Sequence, residues 1–268
     1  MKPVANPSCI WRRHRRVNPS RLGRRHRRVN LRSYYRRLRS HFGHQHWWPG
    51  DTPFEVCVGA ILTQNTAWSN VEKAIANLKR ARALSPRALH AMSERDIAAL
   101  IRPSGYFNIK ARRLKIFIEF LFAEYGGSVT RMRREDLETL RPKLLAVKGI
   151  GPETADSILL YALGKPIFVV DAYTERVLSR HGLIKPSAAY DEIQELFHSS
   201  LHHPRSTLFN DFHAQFVAVG KTYCKSRVAL CDKCPLGPLL NATRAGALSV
   251  RHHPRRQRLH QGTSAQYT

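Results

Sequence analysis

The stretch that decides the reading is Lys148-Gly-Ile-Gly-Pro-Glu-Thr-Ala-Asp156, KGIGPETAD. Together with the preceding Leu144-Leu-Ala-Val147 it describes a short helix that ends, a tight turn, and a second helix starting at Pro152. Glycine tolerates positive φ and lets another backbone come close. Proline suits a first helical position, where its missing N–H costs nothing. The N–H groups around Gly149 and Gly151, backed by the N-terminus of the following helix, make a site for a phosphate, with Lys148 beside them. Apolar Ile150 is the plug that seats the turn in the core. An ordinary αα-turn would also satisfy G-x-G, so the surroundings must choose between the two.

Charge supplies the first of those surroundings. The 268-residue chain carries 45 Lys and Arg against 19 Asp and Glu, a net +26, which points to a polyanionic partner. Residues 1–40 hold 14 of the basic residues and no acid. The remainder, with 31 basic and 19 acidic residues, still carries +12, so the charge belongs to the folded part as well. The turn is therefore read as a helix-hairpin-helix, a grip on the DNA backbone that ignores sequence.

Residues 1–30 and 241–268 read as disordered basic tails, poor in large apolar residues and self-repelling. The first contains Arg-Arg-His-Arg-Arg-Val-Asn twice, at 12–18 and 24–30. It is either a non-specific DNA-gripping arm or an extension without a selected role. Between the tails the apolar spacing is helical: Phe54, Val58, Ile61 and Leu62; Val71, Ile75 and Leu78; Leu114, Ile118 and Phe122; Ala155, Ile158, Leu159, Ala162 and Leu163. Only Ile167–Val170 resembles a strand, and four residues make no sheet. The fold class is all-α. No apolar run is long enough to span a bilayer, and the start lacks a secretory signal. The expected setting is cytoplasmic and nucleoid-associated, or nuclear or organellar in a eukaryote, and the expected state is a monomer.

Twenty residues past Gly151, the run Phe168-Val-Val-Asp171-Ala-Tyr-Thr-Glu-Arg176 sets a carboxylate between an apolar segment and a helix. An N-cap is the plain role of Asp171. A capping carboxylate at the edge of a cleft is also placed to stabilise a cation. The order GIGPETADSILLYALGKP then VVDAYTERVL resembles the helix-hairpin-helix DNA glycosylases of the endonuclease III superfamily, from about His41 to Cys234. AILTQNTAW resembles the segment whose glutamine fills the gap left by a flipped base, which falls on Gln64. SGYFNIKARRL resembles the helix start after a second glycine loop and puts Asn108 and Lys110 among the DNA contacts. The wording of ILTQNTAW and GPETAD is most similar to the endonuclease III-related and 3-methyladenine glycosylase branch.

The resemblance implies two helical lobes with a DNA-binding cleft between them. One is discontinuous, residues 31–53 and 166–240; the other, barrel-like and carrying the hairpin, is 54–165. It implies Asp171 as the essential carboxylate, and the chemistry agrees. Breaking an N-glycosidic bond builds positive charge on the sugar, which a fixed carboxylate in a dry pocket stabilises. Where bifunctional relatives carry a Schiff-base lysine, this chain has Glu153, which cannot form that adduct. Glu153 otherwise reads as a favourable charge in a helix's first turn.

The expected activity is thus a monofunctional N-glycosylase of base-excision repair, acting on double-stranded DNA with a damaged, alkylated base. A glycosylase/lyase using another lysine and a catalytically inactive DNA-structure binder are the alternatives. Gln64 is either the gap-filling wedge or a buried amide satisfied by backbone. A flipped base must be stacked, and Trp47, Trp48, Trp68, Tyr106, Phe107, Phe209 and Phe212 are candidates, of which two or three line a pocket. Cys224, Cys231 and Cys234 are spaced C-x6-C-x2-C, which resembles three ligands of the family's [4Fe–4S] cluster. The expected fourth cysteine is replaced by Leu240.

Overall fold

The computed structural model describes residues 30–201 and 204–240. The sequence-read tails, apart from Asn30 of the first, lie outside the described residues. Among these, every regular element is a helix. In chain order they are α1 (Leu31–Phe42), α2 (Pro53–Leu62), α3 (Trp68–Arg80), α4 (Pro86–Ala91), α5 (Glu94–Leu100) and α6 (Phe107–Tyr125). There follow α7 (Val129–Arg134), α8 (Leu137–Ala146), α9 (Pro152–Ser157), α10 (Ala172–Arg180), α11 (Tyr190–Ser200) and α12 (Ser206–Thr222).

Local signals set many of the boundaries. Thr52, Ser85, Ser93, Ser128 and Asp171 each accept a backbone N–H at a helix start, the capping worth about 1 kcal/mol apiece. Pro53, Pro86 and Pro152 each occupy a first turn. The apolar spacing of α3 is an amphipathic face, with Val71, Ala74, Ile75 and Leu78 buried. In α2 the expected single face is too modest: every residue from Phe54 to Leu62 is buried. A helix apolar all round lies inside a core, and neighbouring α3, α6 and α9 enclose it.

Ile167–Val170 forms no strand. It is an extended, buried segment that delivers the chain to Asp171. Before it, α9 runs into a π-helical turn, Ile158–Ala162. A π turn fits an extra residue and re-aims the side chains beyond it, and such turns gather at functional sites. Here Tyr161 is the one residue of the turn that is not fully buried.

Two sets of contacts organise the molecule. α1 and α10 both pack on α12, joining the two ends of the described chain. α2, α3, α5, α6, α8, α9 and the π turn pack on one another. α12 touches the π turn and so links the sets.

A second link is polar. Asp156 of α9 is fully buried and accepts from Arg141 Nε at 2.8 Å and Nη2 at 3.1 Å. It also accepts from Tyr190 Oη at 2.9 Å and Gln194 Nε2 at 2.7 Å. Gln194 donates in addition to the Phe168 carbonyl at 2.7 Å. One carboxylate thereby ties the hairpin's second helix to α8, α11 and the segment before Asp171. Asp156→Ala leaves the Arg141 guanidinium without its buried partner, and chemical denaturation should show a loss of about 3–5 kcal/mol.

Candidate functional site

The hairpin has the form the sequence predicts. α8 ends at Ala146, and the Ile150 N–H closes the turn on the Val147 carbonyl at 3.0 Å. Ile150 is buried, while Lys148 and Gly151 are exposed. The two glycines serve different ends. Gly149 has φ +92°, and a Cβ there would come within 2.6 Å of the Arg113 side chain. Gly151 has φ −93°, and a Cβ there would meet no atom within 4 Å. Nothing inside the protein requires glycine at 151; the open space lies outside the chain.

Gln64, in the loop after α2, reaches the hairpin. Its Nε2 donates to the Gly149 carbonyl at 3.1 Å and to Thr154 Oγ1 at 2.9 Å. Its Oε1 accepts from Arg113 Nη1. The amide is thus satisfied at both ends, one of them partly by backbone, and only half-buried. Asn108 is exposed in the first turn of α6. Lys110 corrects the sequence reading. It is 1 % exposed, and its Nζ donates to the Leu62 and Ser104 carbonyls at 2.8 and 2.7 Å. Burial, and then the Arg113 charge, lower its pKa to about 8. Lys110 caps the C-terminus of α2 from inside and offers nothing to a ligand at the surface.

Asp171 is the N-cap of α10, accepting the Thr174 N–H on Oδ1 at 2.7 Å. Its Oδ2 lies 3.5 Å from Nε2 of His213, on α12. His213 Nδ1 lies 2.5 Å from the Tyr161 hydroxyl. Burial alone would push the Asp171 carboxyl up, but His213 and the Thr174 donors outweigh it and hold it below the ordinary value. Glu153 behaves oppositely. It stands exposed in the first turn of α9, and desolvation by the surrounding protein followed by the Asp171 charge pushes its carboxyl up. One carboxylate is kept ionised and the other is drawn towards its neutral form.

An aromatic corner borders this group. Trp48 packs on Tyr161 with ring centres 5.1 Å apart, and on Trp68 at the same distance. Trp47 stacks edgewise on Trp48 at 5.5 Å, with Lys221 Nζ 5.9 Å above its ring. Three of the seven candidate aromatics therefore come together. Phe209 and Phe212 are fully buried against Phe168, Phe197 and Phe216, and are core. Phe107 packs under Arg102, and Tyr106 is 68 % exposed at the start of α6. Sequence reading missed Tyr161 and His213. A histidine in the apolar run of α12, FHAQFVAV, was the available signal.

Residues 58–203, which include the hairpin and the cap Asp171, match the HhH-GPD superfamily of base excision DNA repair proteins. The chain belongs to that family. A Methanocaldococcus jannaschii protein provisionally named DNA repair glycosylase is 47 % identical over 205 residues, 75 % of this chain and 91 % of that protein. Endonuclease III of Thermotoga maritima is 30 % identical over 182 residues, 68 % of this chain and 79 % of the relative. The crystal structure of H. pylori 3-methyladenine DNA glycosylase bound to 1,N6-ethenoadenine matches with TM-score 0.62 and 29 % identity, covering 70 % and 96 % of the two chains.

The family's cysteine lobe is incomplete here. Cys224, Cys231 and Cys234 line one cavity with Arg180, His181 and Leu240. Arg180 Nη1 donates to Cys224 Sγ at 3.2 Å. Among the described residues, no three Cys, His, Asp or Glu side chains are drawn together as metal ligands. Three thiols of the right chemistry border this cavity without converging as ligands, and Leu240, where a fourth cysteine is expected, is apolar.

The contrast between the two glycines gives a test. Gly149→Ala should lower stability by about 1 kcal/mol or more through φ and the Arg113 clash. Gly151→Val should unfold at the wild-type midpoint yet bind all duplexes more weakly in fluorescence anisotropy. Wild-type affinity of a folded Gly151→Val protein would show that the open space at 151 is not a phosphate's.

Proposed function

We propose that the chain is a monofunctional DNA N-glycosylase that releases an alkylated, cationic base from duplex DNA by hydrolysis. The observation that carries this is the pair of unlike carboxylates beside the aromatic corner. Asp171 is largely enclosed and held ionised, and the charge that acts on it from the hairpin is Glu153, which has no amine.

The steps follow from the geometry. The backbone at Gly149–Gly151 and the α9 N-terminus grip a phosphate, with the two contact sets acting as lobes on either side of the DNA. A flipped base stacks in the corner of Trp47, Trp48 and Tyr161. Electron-rich ring faces beside two carboxyl groups favour a positively charged base. Such a base is already a good leaving group. As its bond to C1′ lengthens, positive charge spreads over the deoxyribose, and the Asp171 carboxylate stabilises it in surroundings that screen poorly. Water then adds to C1′ and passes its proton to the Asp171 carboxylate, which releases it to solvent, leaving an abasic site and the neutral free base. Gln64 lies next to the hairpin and can enter the vacated stack once its amide exchanges Arg113 and Gly149 for DNA. The cysteine lobe takes no part in this chemistry. Cys224, Cys231 and Cys234 would hold an iron–sulfur cluster with one corner free of protein thiolate, and its contribution would be to brace the lobe.

Asp171→Asn keeps the size and much of the cap but removes the charge. Single-turnover release of 3-methyladenine or a similar lesion should fall about 10²–10³-fold, with duplex binding retained. Glu153→Lys should gain a borohydride-trappable adduct on abasic DNA that wild type lacks. Equal trapping by both proteins would return the lyase reading. Protein purified without oxygen should carry iron, and Leu240→Cys should slow its loss in air. Iron-free wild type would mean that the three thiols hold no cluster.

A further inference from the structure

His213 and Tyr161 are not accounted for by the hairpin or by the cap. His213 is 4 % exposed and sits mid-helix in α12, among Phe212, Ala214 and Phe216. A buried imidazole in such surroundings is costly unless its nitrogens are used. Nδ1 has the Tyr161 hydroxyl at 2.5 Å. Nε2 is buried and makes no hydrogen bond, and the nearest carboxylate oxygen given for it is Asp171 Oδ2, at 3.5 Å.

From these contacts we infer that His213 is a positioning residue for the reaction. It carries its proton on Nε2, donates it towards Asp171 Oδ2, and has that tautomer imposed by the Tyr161 hydroxyl donating to Nδ1. The inference rests on the glycosylase reading for its consequence, though not for its geometry.

The opposite tautomer would turn the Nε2 lone pair on to a carboxylate oxygen, a repulsive arrangement in a dry setting. A tyrosine hydroxyl can donate or accept, and donating to Nδ1 is the choice that leaves a proton for Asp171. The π turn makes the contact possible, because it brings Tyr161 out of the α9 core towards α12. Asp171 accepts the Thr174 N–H on Oδ1, and a proton on His213 Nε2, 3.5 Å away, would point at Oδ2. A carboxylate guided on both oxygens is placed before the DNA arrives.

The groups around His213 are few. Asp171 faces it from the α10 cap, Tyr161 from the π turn, and Glu153 acts from α9. On the side of α1, Tyr35 and Arg39 are engaged by Asp211, with His44 near the same carboxylate. A proton on His213 Nε2 directed at Asp171 Oδ2 favours the ionised carboxylate. Removing His213 therefore lets burial raise that group, and the acid limb of the rate profile moves to higher pH.

Three variants of the full chain test this. A Gln amide can place its nitrogen where Nε2 stands, whereas the shorter Asn cannot. His213→Asn should slow single-turnover base release about 10–100-fold, shift the acid limb upwards and leave affinity for abasic DNA unchanged. His213→Gln should recover most of the rate. Tyr161→Phe should cost about tenfold. Nitrogen-15 NMR of the His213 ring at pH 8, without DNA, should show a proton on Nε2 and a bare Nδ1 in wild type. A ring protonated at Nδ1, or His213→Asn with wild-type rate and limb, would overturn the proposal. Should wild type release no base from any lesion offered, the glycosylase reading fails, while the NMR result still decides the tautomer.

Discussion

The buried carboxylate of Asp156 fixes where the hairpin stands relative to Asp171. It accepts a bidentate Arg141, Tyr190 and Gln194, and Gln194 in turn holds the Phe168 carbonyl three residues before the cap. A buried ion pair is a poor source of net stability but an unforgiving constraint on geometry. The hairpin and the Asp171 cap, to which the grip and the chemistry are assigned in the proposal, are set by one side chain. That is a reasonable demand on an enzyme whose target atom must fall within about 3 Å of a group on another element.

A second carboxylate performs the same office for the aromatic corner. Asp211 is 2 % exposed and accepts from Tyr35, Arg39 and the backbone N–H of Gln45. Gln215 donates to the Gly43 carbonyl at 2.6 Å. The loop that carries Trp47 and Trp48 is thus fastened to α12 on either side of His213 in sequence. The register of α12 sets at once the distance of the tryptophans and that of the imidazole.

How much of this was legible depended on how local each signal is. The hairpin could be read because G-I-G-P specifies a turn and a helix start within four residues. Asp171 could be read because a cap announces itself between an apolar run and a helix. Lys110 was misread because a lysine in the first turn after a glycine loop looks like a surface charge. Only the packing of α2 against α6 brings the Leu62 carbonyl to its ammonium, beside the Ser104 carbonyl of the preceding turn. Tyr161 was missed because the spacing of 3.6 that places Ile158, Leu159 and Ala162 in the core puts no tyrosine in a pocket. The π turn, which no periodicity predicts, places it there. His213 needed a partner 42 residues earlier in the chain, and no motif joins them.

The pairing of α1 with α12 bears on how the molecule is made. The hairpin and its supporting helices lie between residues 53 and 165 and touch one another through short loops. Asp171 meets His213, and the tryptophan loop meets Asp211, only when α12 has left the ribosome and docked. Contacts of that separation form late, since the loop they close must be ordered first. On the function proposed above, a growing chain acquires its affinity for nucleic acid before it acquires a reaction to perform. A chain truncated ahead of α12 should be a binder with no chemistry, covering lesions it cannot remove.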